Sequence, residues 1–318
     1  MRTISWKHRL LDVFLILVAS AFVPGVIFGG TVNAPSNSGG STHACCSAKS
    51  AELTLAGNDG EIAYVKDDFS HGLYADVLQR FVDERGRVGY EGLKANRENL
   101  DAYAAAIASL SLETYETWSD EEKLAFWMNT YNALTLKLIV DRYPIESSFF
   151  TSMVFPKKSI RQIPGAWDDV EFIVMGKPMV LDEIEHEIIR KRFGEPRIHM
   201  ALVCAAISCP ILRNEPYDSA HINEQLSEQS RSFVADPSKF RIDKENGVVY
   251  LSKIFDWYGD DFVGKYGSQS GSNNRKEEAV IDFVKRHLPE EDQTYLAEGS
   301  YDIRYLKYDW TLNDQALD

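Results

Sequence analysis

Between Arg197 and Leu212 the chain reads RIHMALVCAAISCPIL, which sets His199, Cys204, Ser208, Cys209 and Pro210 within one short stretch. A cysteine with an imidazole in reach can form a thiolate nucleophile, because the ring takes the thiol proton and the anion is the reactive species. Cys204 is the candidate nucleophile and His199 the nearest base. Their spacing argues against a direct pair. Residues five apart face opposite sides of a strand, and on a helix they stand about 140° apart around the axis. His186 is therefore the rival base, with Glu185 or a buried amide to orient it. The amides in question are Asn129 and Asn132, three residues apart and so on one helical face.

The same residues allow other chemistry. Cys204 and Cys209 flank Ala-Ala-Ile-Ser, a stretch suited to a turn, and a disulfide across it would fix the loop leading into Pro210 and remove the nucleophile. So small a loop constrains the unfolded chain weakly, at the low end of the roughly 2–4 kcal/mol typical of disulfides. Glu185, His186, His199 and the two thiols are also zinc donors. No two of the histidines have the i, i+4 spacing of a helical metal site, however, and no metal or cofactor is expected. Tyr308, Asp309 and Trp310 near the C-terminus could lend a carboxylate to a triad, or pack their rings on the core.

These side chains need elements to carry them. Ser119 and Asp120, followed by Glu121 and Glu122, predict a helix start with acids in the positive first turn. The helix runs from Glu121 through Tyr143 to Pro144. Its middle, FWMNTYNALTLKLIV, is apolar nearly all round, as in a buried central helix. Asn129 and Asn132 then sit where polar groups must find partners. Helical spacing also appears over Phe69–Val82, Leu100–Leu110, Ile222–Val234 and Glu277–Leu288, and from Ser252 through Phe262. Val170, Phe172 and Val174 alternate before a turn at Gly176 and Lys177, which predicts a hairpin. A helix over Leu181–Phe193, capped by Asp182, delivers Glu185 and His186 and turns Ile184, Ile188 and Ile189 inward. A strand is expected at His199–Val203, a hairpin joins Arg241–Ile242 to Val248–Leu251, and the aromatic tail Ile303–Leu312 is expected as a last strand returning to the core. Gly267–Asn274 reads as an exposed loop.

The N-terminus is different. Arg2, Lys7 and Arg9 precede an apolar run from Leu10 to Phe28, interrupted by Asp12 and by Pro24 and Gly25. Residues 1–30 are expected to be a signal peptide or a membrane anchor, and the chain to be exported to the periplasm or cell envelope. Residues 31–59 follow as a flexible linker, then residues 60–318 as one globular domain. Cys45 and Cys46 are adjacent, which strains a mutual bridge. A formal net charge of -14 argues against a nucleic-acid partner. Membrane contact is expected only through the N-terminal segment, if it is uncleaved.

Five blocks in order, EEKLAFWMNTYNALTLKLI, LDEIEHEIIR, RIHMALVCAAISCPIL, LSKIFDWYGDDF and YDWTLN, resemble the domain-of-unknown-function family numbered 547. The resemblance spans about Phe69 to Asn313. It implies relatives rather than a reaction, and its recurrent polar positions fall on Asn129, Asn132, Glu185, His186, His199, Cys204 and Cys209. The expected fold is α+β, a mostly helical body around a buried central helix, packed on a small mixed or antiparallel sheet that includes Val170–Val174, His199–Val203 and the C-terminal strand. Two functions follow. One is a thiol-type hydrolase or transferase with a cleft built from Cys204, His199, His186, Glu185, Asn129 and Asn132. The other is a non-catalytic binding or scaffold module held by a Cys204–Cys209 disulfide.

Overall fold

The computed structural model describes residues 69–267 and 274–317. The apolar run, the linker, Cys45 with Cys46, and most of the Gly267–Asn274 stretch lie outside the described residues.

Helices α1 (Gly72–Phe81), α2 (Tyr90–Ala95), α3 (Glu98–Ser109) and α4 (Leu112–Glu116) surround α5 (Asp120–Arg142). Ser119 and Glu122 close a full capping box at the start of α5: the Ser119 hydroxyl accepts from the Glu122 N–H, and the Glu122 carboxylate accepts from the Ser119 N–H. From Lys123 to Val140 every residue of α5 except Lys137 is buried. Phe126, Met128, Leu138, Ile139 and Val140 have no exposed surface at all. The all-round apolar pattern thus becomes a helix enclosed on every side.

A one-turn helix α6 (Phe149–Ser152) precedes the hairpin β1 (Phe172–Val174) and β2 (Lys177–Met179). Its two-residue turn is Met175–Gly176, both at positive φ, the backbone that a tight hairpin requires. The turn therefore falls one residue earlier than the Gly176–Lys177 expected. The next helical segment is π-helical over Glu183–Ile189 and runs into α7 (Arg190–Phe193). Ile184 and Ile189 point into the core, as the spacing predicts. Asp182 does not cap it: the helical backbone has already begun there, and the carboxylate lies 3.8 Å from the His186 ring instead.

The largest departure is at His199–Val203. This segment is no strand: Pro196–Met200 forms a 3-10 turn, the Ala201 and Leu202 N–H groups bond back to the Ile198 carbonyl, and residues 202–204 join no sheet. Proline sits in the first turn, where its missing N–H costs nothing, and the Glu195 carboxylate accepts from the Arg197 N–H. A strand is expected of the apolar run Met200–Val203, but this local start signal prevails. After it come α8 (Ile222–Ala235), β3 (Phe240–Asp243), β4 (Val248–Leu251), α9 (Lys253–Tyr266), α10 (Arg275–Lys285), α11 (Glu290–Glu298) and β5 (Asp302–Tyr305). β3 pairs antiparallel with β4, Phe240 opposite Leu251, and β5 pairs parallel with β4, Val248 opposite Asp302. The fold is α+β, with a two-stranded and a three-stranded sheet. The expected single sheet through Val170–Val174 and the C-terminal strand is instead two separate ones.

Two apolar cores result. One is centred on α5; the other lies between α8, α9, α10 and the mixed sheet. Tyr308, just beyond β5, packs against both.

Candidate functional site

Asn129 and Asn132 lie on one face of α5, and each amide clamps a strand of backbone. Asn129 Nδ2 donates to the Tyr217 carbonyl and its Oδ1 accepts from the Tyr217 N–H, both at 2.8 Å. Asn132 Nδ2 donates to the Ala201 carbonyl at 3.1 Å, and its Oδ1 accepts from the Val203 N–H at 2.9 Å. Gln229 Nε2 on α8 donates to the Met200 and Ile211 carbonyls at 3.2 and 2.9 Å. Both approaches to the cysteine loop are thus held by buried amides, which satisfies backbone groups that no sheet pairs.

Within that frame Cys204 and Cys209 stand at disulfide distance, with their Cα atoms 6.2 Å apart. Ala205, at positive φ, turns the chain between them. The Cys204 N–H donates to Cys209 Sγ at 3.0 Å. The Tyr308 hydroxyl lies 3.2 Å from Cys204 Sγ and 3.1 Å from Cys209 Sγ. Cys209 is buried and Cys204 is partly open to solvent.

Glu185, His186 and His199 gather around Tyr258 of α9. The rings of His199 and Tyr258 stack with centroids 4.2 Å apart, and the Arg190 guanidinium lies over the other ring system at 5.1 Å from the Tyr258 centroid. Asp261, three residues further along the same helix, accepts from His199 Nε2 at 2.7 Å and from Arg190 Nε and Nη2 at 2.7 and 2.8 Å. Burial pushes the Asp261 carboxyl up, but these donors outweigh it and hold the group well below the usual carboxylate range. Burial holds the His199 imidazole below its ordinary value against the pull of Asp261. A neutral His199 whose Nε2–H donates to Asp261 has a bare Nδ1, the state of a base oriented by a carboxylate.

Glu185 is 7% exposed, and the Tyr131 and Tyr258 phenols are among the groups that favour its charged form. Burial raises its carboxyl, yet His186, His199 and the two phenols together leave it below its ordinary value. Arg190 Nη1 lies 2.9 Å from His186 Nδ1. Arginine has only donors to offer, so Nδ1 accepts and a neutral ring carries its proton on Nε2, toward Asp182. Burial, with Glu185 and Asp309 adding to it, pushes the Tyr308 phenol far above its ordinary value, so it stays a neutral donor beside the sulfurs. Glu185 thus acts on this phenol through its charge, while the hydroxyl itself contacts the two sulfurs.

The expected residues therefore separate by task. Glu185, His186 and His199 come together, Cys204 is paired with Cys209, and Asn129 with Asn132 hold the backbone. Tyr131, Arg190, Tyr258 and Asp261 complete the network without having stood out in the sequence, while Tyr308, expected only as part of an aromatic tail, joins it through its hydroxyl. Tyr258 and Asp261 at i, i+3, and His186 and Arg190 at i, i+4, were the available signals. Among the described residues, no three His, Cys, Asp or Glu side chains converge as a metal site would require.

A family model described as protein of unknown function, DUF547, matches residues 115–234. The match covers α5, the π-helical segment and the cysteine loop, while Tyr258, Asp261 and Tyr308 lie beyond it. Neither the curated proteins nor the solved structures contain a match to the chain.

Proposed function

We propose, for a chain that carries a DUF547 domain at residues 115–234, a thiol-type hydrolase or transferase exported to the cell envelope, with Cys204 as nucleophile. The observation that carries this reading is the contact of one neutral phenol, Tyr308, with both sulfurs and its place beside the Glu185 cluster. A thiol reductant splits the Cys204–Cys209 pair to two thiols. The Cys204 thiol then gives up its proton by way of the Tyr308 hydroxyl, the group in contact with it, with His199, oriented by Asp261, as the final acceptor, and the Tyr308 O–H donates to the thiolate that forms. The thiolate adds to an acyl carbonyl, the leaving group departs with the proton, and a thioester remains. Water releases it in a hydrolase; an amine, alcohol or thiol takes it in a transferase.

The test is the reactivity of the thiols. Intact mass with and without reductant counts the bridge, and iodoacetamide alkylation of the reduced protein, followed by peptide mapping, gives the rate at Cys204. The expected result is alkylation at neutral pH at least tenfold faster than a free cysteine, reduced about tenfold in Glu185→Gln and in His199→Ala. A bridge that opens only when the protein unfolds, or an ordinary alkylation rate, rejects the nucleophile.

The second reading is a non-catalytic binding or scaffold module with a structural bridge. What favours it is that Asn129 and Asn132 each donate to and accept from backbone. Outright resistance of the folded protein to reduction is its signature. Export rests on the sequence of the N-terminal run; no helix among the described residues is long and apolar enough to cross a membrane.

A further inference from the structure

Away from the cysteine loop, α6 and the turn after it expose apolar side chains to an unusual degree. Phe149, Phe150, Met153 and Val154 are 78%, 80%, 73% and 61% exposed. Six consecutive residues thus put two phenylalanines, a methionine and a valine into water, where burial elsewhere would be strongly favoured. The tip is built rather than loose. Ser148 caps it, its hydroxyl accepting from the Thr151 N–H, and the N–H groups of Ser152, Met153, Val154 and Phe155 all bond to carbonyls within the turn. At its base the Gln162 amide donates to the Phe155 and Pro156 carbonyls. The Arg161 guanidinium lies over the rings of Phe155, Trp167 and Trp310 at 4.5, 5.5 and 5.1 Å.

From these observations we infer that the Phe149–Val154 tip seats in the headgroup region of an anionic lipid bilayer. Three features choose lipid over a protein partner. First, the turn bonds the N–H groups of residues 151–155 within itself, which lowers the cost of taking the tip out of bulk water and makes it a poor template for strand addition. Second, four side chains on one turn are far short of the roughly 800 Å² per partner of a stable protein interface, whereas a few apolar residues with cations behind them suffice for interfacial binding. Third, the charge is right: Lys157 and Lys158 are exposed immediately behind the tip. Between residues 142 and 161 the sequence holds four cationic side chains, Arg142, Lys157, Lys158 and Arg161, against one carboxylate, Glu146, in a chain of net charge -14. Lysine at headgroup depth beneath an apolar tip is the arrangement that anionic lipid attracts.

The seat would also face a defined part of the molecule. Trp310, at the base of the tip, stacks on Trp257 at 5.9 Å, and Trp257 lies 4.8 Å from Tyr308, the residue that touches both sulfurs. The proposal does not depend on the chemistry of those sulfurs. It adds a second membrane contact to whatever the N-terminal run provides.

Hydrogen–deuterium exchange on the full chain, with and without vesicles of phosphatidylethanolamine and phosphatidylglycerol, tests it. The expected result is protection of the peptide spanning 149–155 by vesicles, absent with pure phosphatidylcholine. In the double variant Phe149→Ser with Phe150→Ser that protection is lost and the partition coefficient falls at least tenfold, while the melting temperature is unchanged because both rings are exposed. No vesicle binding, or binding through other segments with 149–155 unprotected, overturns the inference. So does protection of 149–155 that rises with protein concentration without lipid, which would make the tip a contact between copies.

Discussion

Asn132 is the residue on which the position of Cys204 most directly depends. It is 3% exposed, and its amide donates to Ala201 O and accepts from Val203 N–H. Asn132→Ala leaves two buried backbone groups without partners, each worth about 1–3 kcal/mol. The expected loss is about 3–4 kcal/mol, or about 10 °C at the 2–4 °C per kcal/mol of a body this size. Asn132→Asp separates the hydrogen-bond argument from mere loss of volume. An ionised carboxylate in that place can still accept from Val203, but it turns an acceptor toward the Ala201 carbonyl and brings an unpaired charge into an apolar surround. The protonated acid restores both bonds. Its folded-state pKa is therefore raised above the unfolded value of about 3.9. The folded state then holds the proton longer than the unfolded chain, so stability falls as pH rises through that window. Relative to the wild type, the deficit is small near pH 4 and grows by about 1.4 kcal/mol per pH unit until the folded pKa is passed. Urea melts of both proteins between pH 4 and 8 measure it. A deficit independent of pH would refute the claim that the amide donor to Ala201 is what matters.

Three shorter expectations follow. Asp261→Asn keeps the shape but not the charge that accepts from His199 and Arg190; with the site about a quarter exposed, it costs about 2–3 kcal/mol at pH 7. The difference from wild type in urea melts is full above about pH 4 and shrinks steadily as pH falls below it, because a depressed carboxyl loses its contribution only as pH drops from its unfolded value toward its much lower folded one. His71 is lowered by burial to about 4, against the opposing pull of Asp218, and its Nδ1 lies 2.6 Å from the Tyr103 hydroxyl. The unfolded chain therefore takes up the proton first, and stability falls by up to about 3 kcal/mol as pH drops from 6.5 to 4; His71→Gln flattens that slope in equilibrium melts. At Gly86, with φ at +72°, an added Cβ would meet Leu212 N at 2.6 Å and Ile211 Cα at 2.9 Å. Gly86→Ala should cost about 2 kcal/mol or more in denaturant melts, since backbone rather than a movable side chain stands in the way.

The central helix was legible because its signals agree: a capping box at one end, an apolar run without a polar face, and a proline at the other. The pairing of Arg241–Ile242 with Val248–Leu251 was legible for the same reason. His199–Val203 misled because burial, not strand pairing, made it apolar; its backbone is satisfied by the 3-10 turn and by Asn132 and Gln229 rather than by a sheet. Periodicity cannot distinguish these cases, since both hide the same side chains. The candidate site was half legible. Glu185, His186, His199 and the cysteines announce themselves by type. Asp261 and Arg190 do not, because charged residues on amphipathic helices are common and only the fold brings this pair together from α9 and α7, Asp261 on His199 and Arg190 on His186. Tyr308 looked like one more core ring, and in packing it is; what the sequence hides is that its hydroxyl ends at two sulfurs.

Glu185 provides the sharpest way to tell an active cleft from a stabilising network. A buried ion or polar cluster is weak grounds for stability, because desolvation offsets most of the attraction within it, and well-packed apolar replacements are often neutral or stabilising. Glu185 sits among Tyr131, Tyr258, His186 and His199 at 7% exposure, so it bears that desolvation in full. Were the cluster only scaffolding, an apolar core would serve as well. The triple replacement Glu185→Met, Tyr131→Phe, Tyr258→Phe removes the carboxylate and both hydroxyls that address it, with little change in volume. Its expected stability is within about 1 kcal/mol of the wild type or higher, while Cys204 in the reduced protein loses its fast alkylation. If the triple variant instead unfolds, the cluster holds the fold together and its density of titratable groups no longer argues for chemistry. If it folds and Cys204 reacts as before, the sulfurs do not depend on Glu185, and the link through Tyr308 carries no proton traffic.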